Sequence, residues 1–134
     1  MTDLTRLRAV LRSQDRERGA TTLEAVILVP LVFLATFTIV QIGLFIHAGN
    51  VATGAAQAAY EEARLFGSDS YTGTNAGYNV IHESGNALSG ATVTVNRGPE
   101  HITVTVTGQG PSLVPGMPID IHRTVTGPTE RWVD

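Results

Sequence analysis

From Ala25 to Ile46 the chain reads AVILVPLVFLATFTIVQIGLFI, and no side chain in this run is charged. Its polar members are Thr36, Thr38 and Gln41. A helix of this length extends about 33 Å, close to the roughly 30 Å hydrocarbon thickness of a bilayer. A helix also satisfies its own backbone hydrogen bonds, as lipid demands. The run is therefore expected to form one membrane-spanning helix. The competing reading, a core helix of a soluble protein, needs apolar partners around it, and the remaining sequence offers few. Pro30 lies inside the run. It has no N–H and its ring clashes with the carbonyl of Val26, so a bend is expected there.

Charge gives the run a direction. Of nine arginines in a lysine-free chain, five (Arg6, Arg8, Arg12, Arg16 and Arg18) precede Gly19, and the next after the run is Arg64. This asymmetry predicts a cytoplasmic N-terminus and an exported part from His47 onward. Beyond the run, four arginines stand against eight carboxylates. A basic leader and an acidic remainder suit different compartments, and the acidic exported part argues against a nucleic acid partner. A cleavable secretory signal is a rival reading. Its apolar core would exceed the usual length, and its small-residue site, Ala56-Gln57-Ala58, lies about twelve residues beyond Ile46. The chain has no cysteine, so disulfides and thiolate chemistry are excluded. A small exported domain must then be stabilised by packing, by its helix or by partner subunits.

The entrance to the run, Arg16 to Pro30, reads RERGATTLEAVILVP. Glu24 is the unusual residue. A carboxylate at the start of a membrane helix costs roughly 1–3 kcal/mol, and such a residue signals function by default. A cut after Gly19 would give Ala20 a free ammonium. Glu24, four residues on, would share a helix face with that amine. In an assembly, Glu24 of one subunit would pair with the amine of the next and set the axial register, because an unpaired charge in a low dielectric is far costlier than a paired one. Gly19 suits the cut, since it lacks a side chain and lets the backbone extend in a peptidase groove.

In these residues the chain resembles the class III signal of type IV-like prepilins. The longer stretch RERGATTLEAVILVPLVFLATFTIVQIGLF is similar to the N-terminal domain of the TadE/TadG-like pseudopilins, with their Arg-Gly, Glu, Val-Pro and apolar stretch in order. The resemblance implies a minor pilin of a tight-adherence (Flp-type) pilus, a system of cell adhesion. It implies that a membrane aspartyl prepilin peptidase cuts Gly19–Ala20, that Glu24 is the assembly carboxylate, and that the partners are the lipid membrane, the peptidase and other pilus subunits. One position departs from the pattern. Members usually carry an aromatic residue directly after the Glu, where this chain has Ala25. Two alternatives stay open at this point: an ordinary signal anchor with an incidental Glu, and an uncleaved single-pass envelope protein with an exported binding or scaffold domain.

The helix is expected to continue past the membrane. His47 to Phe66 is alanine-rich, and alanine is the best helix former. Ala52, Ala55, Ala56, Ala59, Ala63 and Phe66 recur at three- and four-residue spacing. This small-residue stripe allows close helix approach, in a filament core or against the protein's own domain, unless water simply washes it. Glu61 and Arg64 are spaced to pair. Gly67 to Thr74 reads as a break, and Asn75 to Ala87 as a short helix weakened by Gly77 and Gly85. Ala91–Asn96 and His101–Thr107 alternate strictly around Arg97-Gly98-Pro99-Glu100, which predicts a hairpin with Val93, Val95, Ile102, Val104 and Val106 on one face. Gly108 to Pro118 reads as a loop, Ile119 to Val125 as a third strand, and Trp132 as a side chain laid on the domain or on a neighbour.

The expected fold class is therefore α+β. A basic leader occupies 1–19, a transmembrane and membrane-proximal long helix 20–66 (span about 25–46), and a small exported domain 67–134. That domain holds a short helix and an antiparallel sheet of about three strands, near the minimum for independent stability, with the membrane-proximal helix covering its apolar face. No enzyme motif emerges. His47, His82, His101 and His122 fall in no metal-ligand spacing, no serine sits in a nucleophile-elbow context, and Gly108-Gln109-Gly110 opens no helix for a phosphate loop. The reading is non-enzymatic, with no cofactor, no metal and no small-molecule substrate.

Overall fold

The structure is a computed structural model that describes residues 2–131. Trp132 lies outside the described residues. The chain is α+β. One helix, α1, spans Thr2–Arg64 and is followed by α2, Ser70–Glu83, and a single 3-10 turn, Gly85–Ala87. Three strands complete the chain: β1 (Ser89–Arg97), β2 (His101–Gly110) and β3 (Ile119–Pro128). They form one antiparallel sheet in the order β1-β2-β3. The chain divides into two compact units, Met1–Ile39 and Val40–Asp134.

In the second unit the alternation of the strands becomes a two-faced sheet. Val93 pairs with Val106, and Val104 lies between Val95 and Val125. Ile102, Val104 and Val106 are fully buried, with Val93 and Ile121 close to it, while Val95 is half-buried. The opposite face is threonine-rich, and Thr103–Thr126 and Thr105–Thr124 pair across β2 and β3 at 3.3 and 3.5 Å. Such cross-strand hydroxyl pairs stabilise a sheet face that carries no apolar cover.

The inner face is closed by the alanine stripe of α1. Ala48, Ala52, Ala55, Ala56, Ala59 and Ala63 are all fully buried, in one cluster with the valines and isoleucines of the sheet and with Ile81, Ala87 and Leu88. The stripe is thus spent on the protein's own domain, and the solvent-washed reading is excluded. Phe66 does not belong to it: α1 ends at Arg64, and Phe66 is 72% exposed in the turn that follows.

Two other expectations are corrected. The break after α1 is shorter than its glycines suggest, because α2 starts at Ser70 rather than Asn75. Asp69 caps it: the Thr72 N–H and the Thr72 hydroxyl both donate to Asp69 Oδ1 at 2.8 Å, satisfying a helix-start donor. Gly73 and Gly77 then lie on α2 facing α1. A methyl at Gly73 would come within 2.7 Å of the Ala59 carbonyl oxygen and 2.8 Å of Ala63 Cβ. One at Gly77 would reach Val93 Cγ1 at 2.9 Å and Ala59 Cβ at 3.2 Å. The glycines that weaken α2 as an isolated helix are the ones that let it cross α1 at this distance. The second correction concerns Gly108–Gly110, read as loop. β2 continues through Gly110, where a side chain would meet Ala48 Cβ at 3.1 Å, and β3 runs on to Pro128.

The end of α1 is tied to the end of the sheet. Arg64 Nε lies 2.7 Å from Glu61, as the i,i+3 spacing predicts, and Arg64 NH1 lies 3.7 Å from Glu130. The Glu130 N–H donates to the Arg64 carbonyl at 3.3 Å, and the Tyr60 hydroxyl donates to the Pro128 carbonyl at 3.1 Å. Arg97 donates to the Leu65 carbonyl at 3.3 Å, a cation placed at the negative end of the helix.

Candidate membrane and assembly helix

Residues Leu23 to Val40 of α1 present their large apolar side chains outward. Val26, Ile27, Val32, Phe33, Leu34 and Ile39 are each exposed, and none of the most apolar window of the helix is covered by protein. A core helix of a soluble protein is buried by its own fold, and the described residues do not bury this stretch. The helix is long and apolar enough to cross a membrane. Its hydroxyls are satisfied within the helix. Thr36 donates to the Val32 carbonyl and Thr38 to the Leu34 carbonyl, both at 2.8 Å, which removes their need for water. The helical backbone continues through Pro30, whose missing N–H leaves the Val26 carbonyl without its usual partner.

Gly19, Ala20 and Glu24 lie on the same exposed helix, ahead of the apolar stretch. A side chain at Gly19 would meet nothing within 4 Å, so packing does not explain a glycine there. A glycine in a helix interior weakens it by roughly 0.5–1 kcal/mol relative to alanine, which favours local opening around the Gly19–Ala20 bond. The neighbouring Thr21 and Thr22 hydroxyls donate back to the Glu17 and Arg18 carbonyls at 2.8 Å. Among the described residues Glu24 makes no ion pair. Its carboxylate is open to a partner from outside the chain.

Ala56-Gln57-Ala58, the rival cleavage site, stands in different surroundings. It is helical, with Ala56 and Ala59 fully buried in the domain core. A cut there would strip the domain of the helix that closes its apolar face. The four histidines are exposed and scattered. Among the described residues no group of His, Asp or Glu is assembled to hold a metal ion.

One residue has a role its sequence position conceals. Gln41, polar within the apolar run, is half-buried against the β2–β3 connection. Its amide donates to the Pro111 carbonyl at 3.2 Å, and its Oε1 accepts the Leu113 N–H at 2.7 Å. The available signal was the amide itself, which carries donors and acceptors that a low dielectric requires to be paired.

Compared with known proteins, residues 19–60 match the model of the family described as TadE-like protein. No curated protein and no solved structure matches the chain. The matched segment starts at the glycine of the motif and ends within the buried alanine stripe.

Proposed function

We propose that this chain, whose residues 19–60 match the TadE-like family, acts as a membrane-anchored minor pilin or pseudopilin in assembly of a tight-adherence pilus. The observation that carries the reading is the division of labour along α1. Its alanine stripe is used up inside the domain, while Leu23 to Val40 stays bare and carries at its mouth a carboxylate with no ion pair among the described residues. A bare apolar helix suits lipid first and neighbouring subunit helices afterwards. The basic leader lies in the cytoplasm and the sheet domain outside. A prepilin peptidase cuts Gly19–Ala20, and the Glu24 carboxylate pairs with the new amine of Ala20 on a neighbouring subunit. The function is structural rather than catalytic, and the partners are lipid, the peptidase and other pilus subunits.

A second reading is favoured by one residue. Ala25 stands where processed prepilins usually carry an aromatic side chain, which suits an uncleaved single-pass envelope protein with the same topology. The N-terminal residue and mass of the mature chain decide between them. A chain beginning at Ala20 supports the prepilin reading, and an unprocessed N-terminus supports the anchor. A chain beginning at Ala59 would refute both.

A further inference from the structure

The β2–β3 connection, residues 111–118, reads PSLVPGMP and contains no charged residue. Charge is absent from Gly108 through Ile119. Leu113, Val114 and Met117 are exposed, Met117 by 65%. Gln41 fixes this loop against the last turns of the apolar run through the bonds to Pro111 and Leu113. Those turns expose Ile42 and Phe45. Loop and helix turns thus stand side by side within the domain, each with exposed apolar side chains. Gln41 precedes Ile46 by five residues, so the loop lies about 7.5 Å back along the helix axis from the end of the run. That matches the roughly 5–10 Å to which interfacial segments sink below the headgroups.

The backbone of the loop suits the same medium. Pro111, Pro115 and Pro118 have no N–H to desolvate. The Leu113 N–H is held by Gln41, the Val114 N–H by the Ser112 hydroxyl at 3.1 Å, and the Met117 N–H by the Val114 carbonyl at 3.2 Å. This last bond closes a type II turn with Pro115 and Gly116 at its centre, where Gly116 takes a φ of +77° that a side chain would resist. A water-exposed loop has no need of internal partners for its donors, whereas a loop in lipid does.

We infer that residues 111–118 are a second membrane contact, a proline-rich loop whose Leu113, Val114 and Met117 insert into the outer interface of the bilayer beside α1. The occupant of this apolar surface is lipid. The inference rests on the membrane-spanning reading of α1. The contact would fix both the depth and the rotation of the domain at the membrane, which a single helix leaves free.

The cysteine-free chain allows a direct test. Single variants Met117→Cys, Val114→Cys, Phe33→Cys and Thr105→Cys of the full chain are labelled with a small fluorophore and reconstituted in phosphatidylcholine–phosphatidylglycerol vesicles. Quenching by lipids brominated high on the acyl chain reports lipid contact at 114 and 117, and lipids brominated near the chain end report it at Phe33, which lies near the middle of the run. Labels at Phe33, Met117 and Val114 are expected to be quenched, and Thr105, on the outer sheet face, is not. Reaction of the cysteine at 117 with a water-soluble maleimide is expected to be slower than at 105 by about tenfold or more. If Phe33 is quenched while 114 and 117 are not, the loop inference is overturned and the spanning helix stands. Slow maleimide reaction at 117 without lipid quenching also overturns it, in favour of a protein contact. If Phe33 itself is unquenched, the spanning reading falls and the loop inference with it.

Discussion

Replacing Gly73 by alanine sets helix propensity against packing. In an isolated helix the change favours the folded state by roughly 0.5–1 kcal/mol. Here the added methyl would lie 2.7 Å from the Ala59 carbonyl oxygen and 2.8 Å from Ala63 Cβ. Neither neighbour is the end of a flexible side chain, so no rotamer change relieves the overlap and α2 must move off α1. Overpacking of this kind costs about 1–3 kcal/mol, and with no relief available the upper half of that range applies. The net expectation is a loss of about 1–2 kcal/mol, a factor of about 5–30 in the folded-to-unfolded ratio. Gly54→Ala is the internal control, since its methyl would meet Val80 Cγ1 at 3.7 Å, an ordinary contact. That variant should gain about 0.5–1 kcal/mol. Hydrogen exchange of the β2 amides, in the full chain in detergent micelles, reads the domain separately from the micelle-embedded helix. The slowest β2 amides should exchange faster in Gly73→Ala and slower in Gly54→Ala. Protection at or above the parent level in Gly73→Ala would refute the close crossing, and equal losses in both variants would show sensitivity unrelated to the gap.

Other expectations concern the membrane entrance and the cap of α2. Gly19→Leu should block processing, read as an unshifted mass of the membrane-bound chain. Glu24→Ala should leave membrane fractionation unchanged and reduce the chain's recovery in sheared pili; normal recovery would sink the pairing mechanism. The Thr72 N–H and hydroxyl hold the Asp69 carboxyl below the ordinary carboxylate range. A lowered folded-state pKa means the cap stabilises fully above the unfolded carboxylate value and is lost as pH falls through the depressed one. Acid titration of the domain should therefore lose stability below about pH 4 less steeply in Asp69→Asn, which keeps the accepting oxygen without the titration.

The parts of this chain that were legible in its sequence are those governed by near neighbours. Alternating Thr-Val-Thr-Val runs encode a two-faced strand directly, and Val104 and Val106 are buried as their alternation requires. The uncharged run from Ala25 to Ile46 specifies an apolar helix by length and composition, and it is exposed through Val40. Gly73 was read as part of a break because glycines among serines and threonines punctuate a chain, whereas its value lies in Ala59 and Ala63 across the helix crossing. Gly110 was read as loop for the same reason, with Ala48 as the hidden neighbour. The cap at Asp69 was readable in principle, from an aspartate three residues before Thr72. The amide of Gln41 signalled that it needs partners but not which ones, because those at 111 and 113 come from the connection between β2 and β3. Gly19 and Glu24 are a different case. Their spacing suggests a mechanism that needs a second protein, and no single chain displays it.

The burial of the alanine stripe bears on how this protein can drift. One uninterrupted helix answers to two unlike rules. Before residue 40, exchange among leucine, valine, isoleucine and phenylalanine conserves what matters, namely an exposed apolar surface. After residue 47, apolar character is not enough, because valine in place of Ala56 or Ala59 stays apolar and overfills the core. In the first stretch the tolerated alphabet is set by polarity and in the second by volume. A mutational scan across α1 should change character within about two helical turns of Gln41, and that boundary would mark, genetically, where polarity ceases to decide and volume begins to.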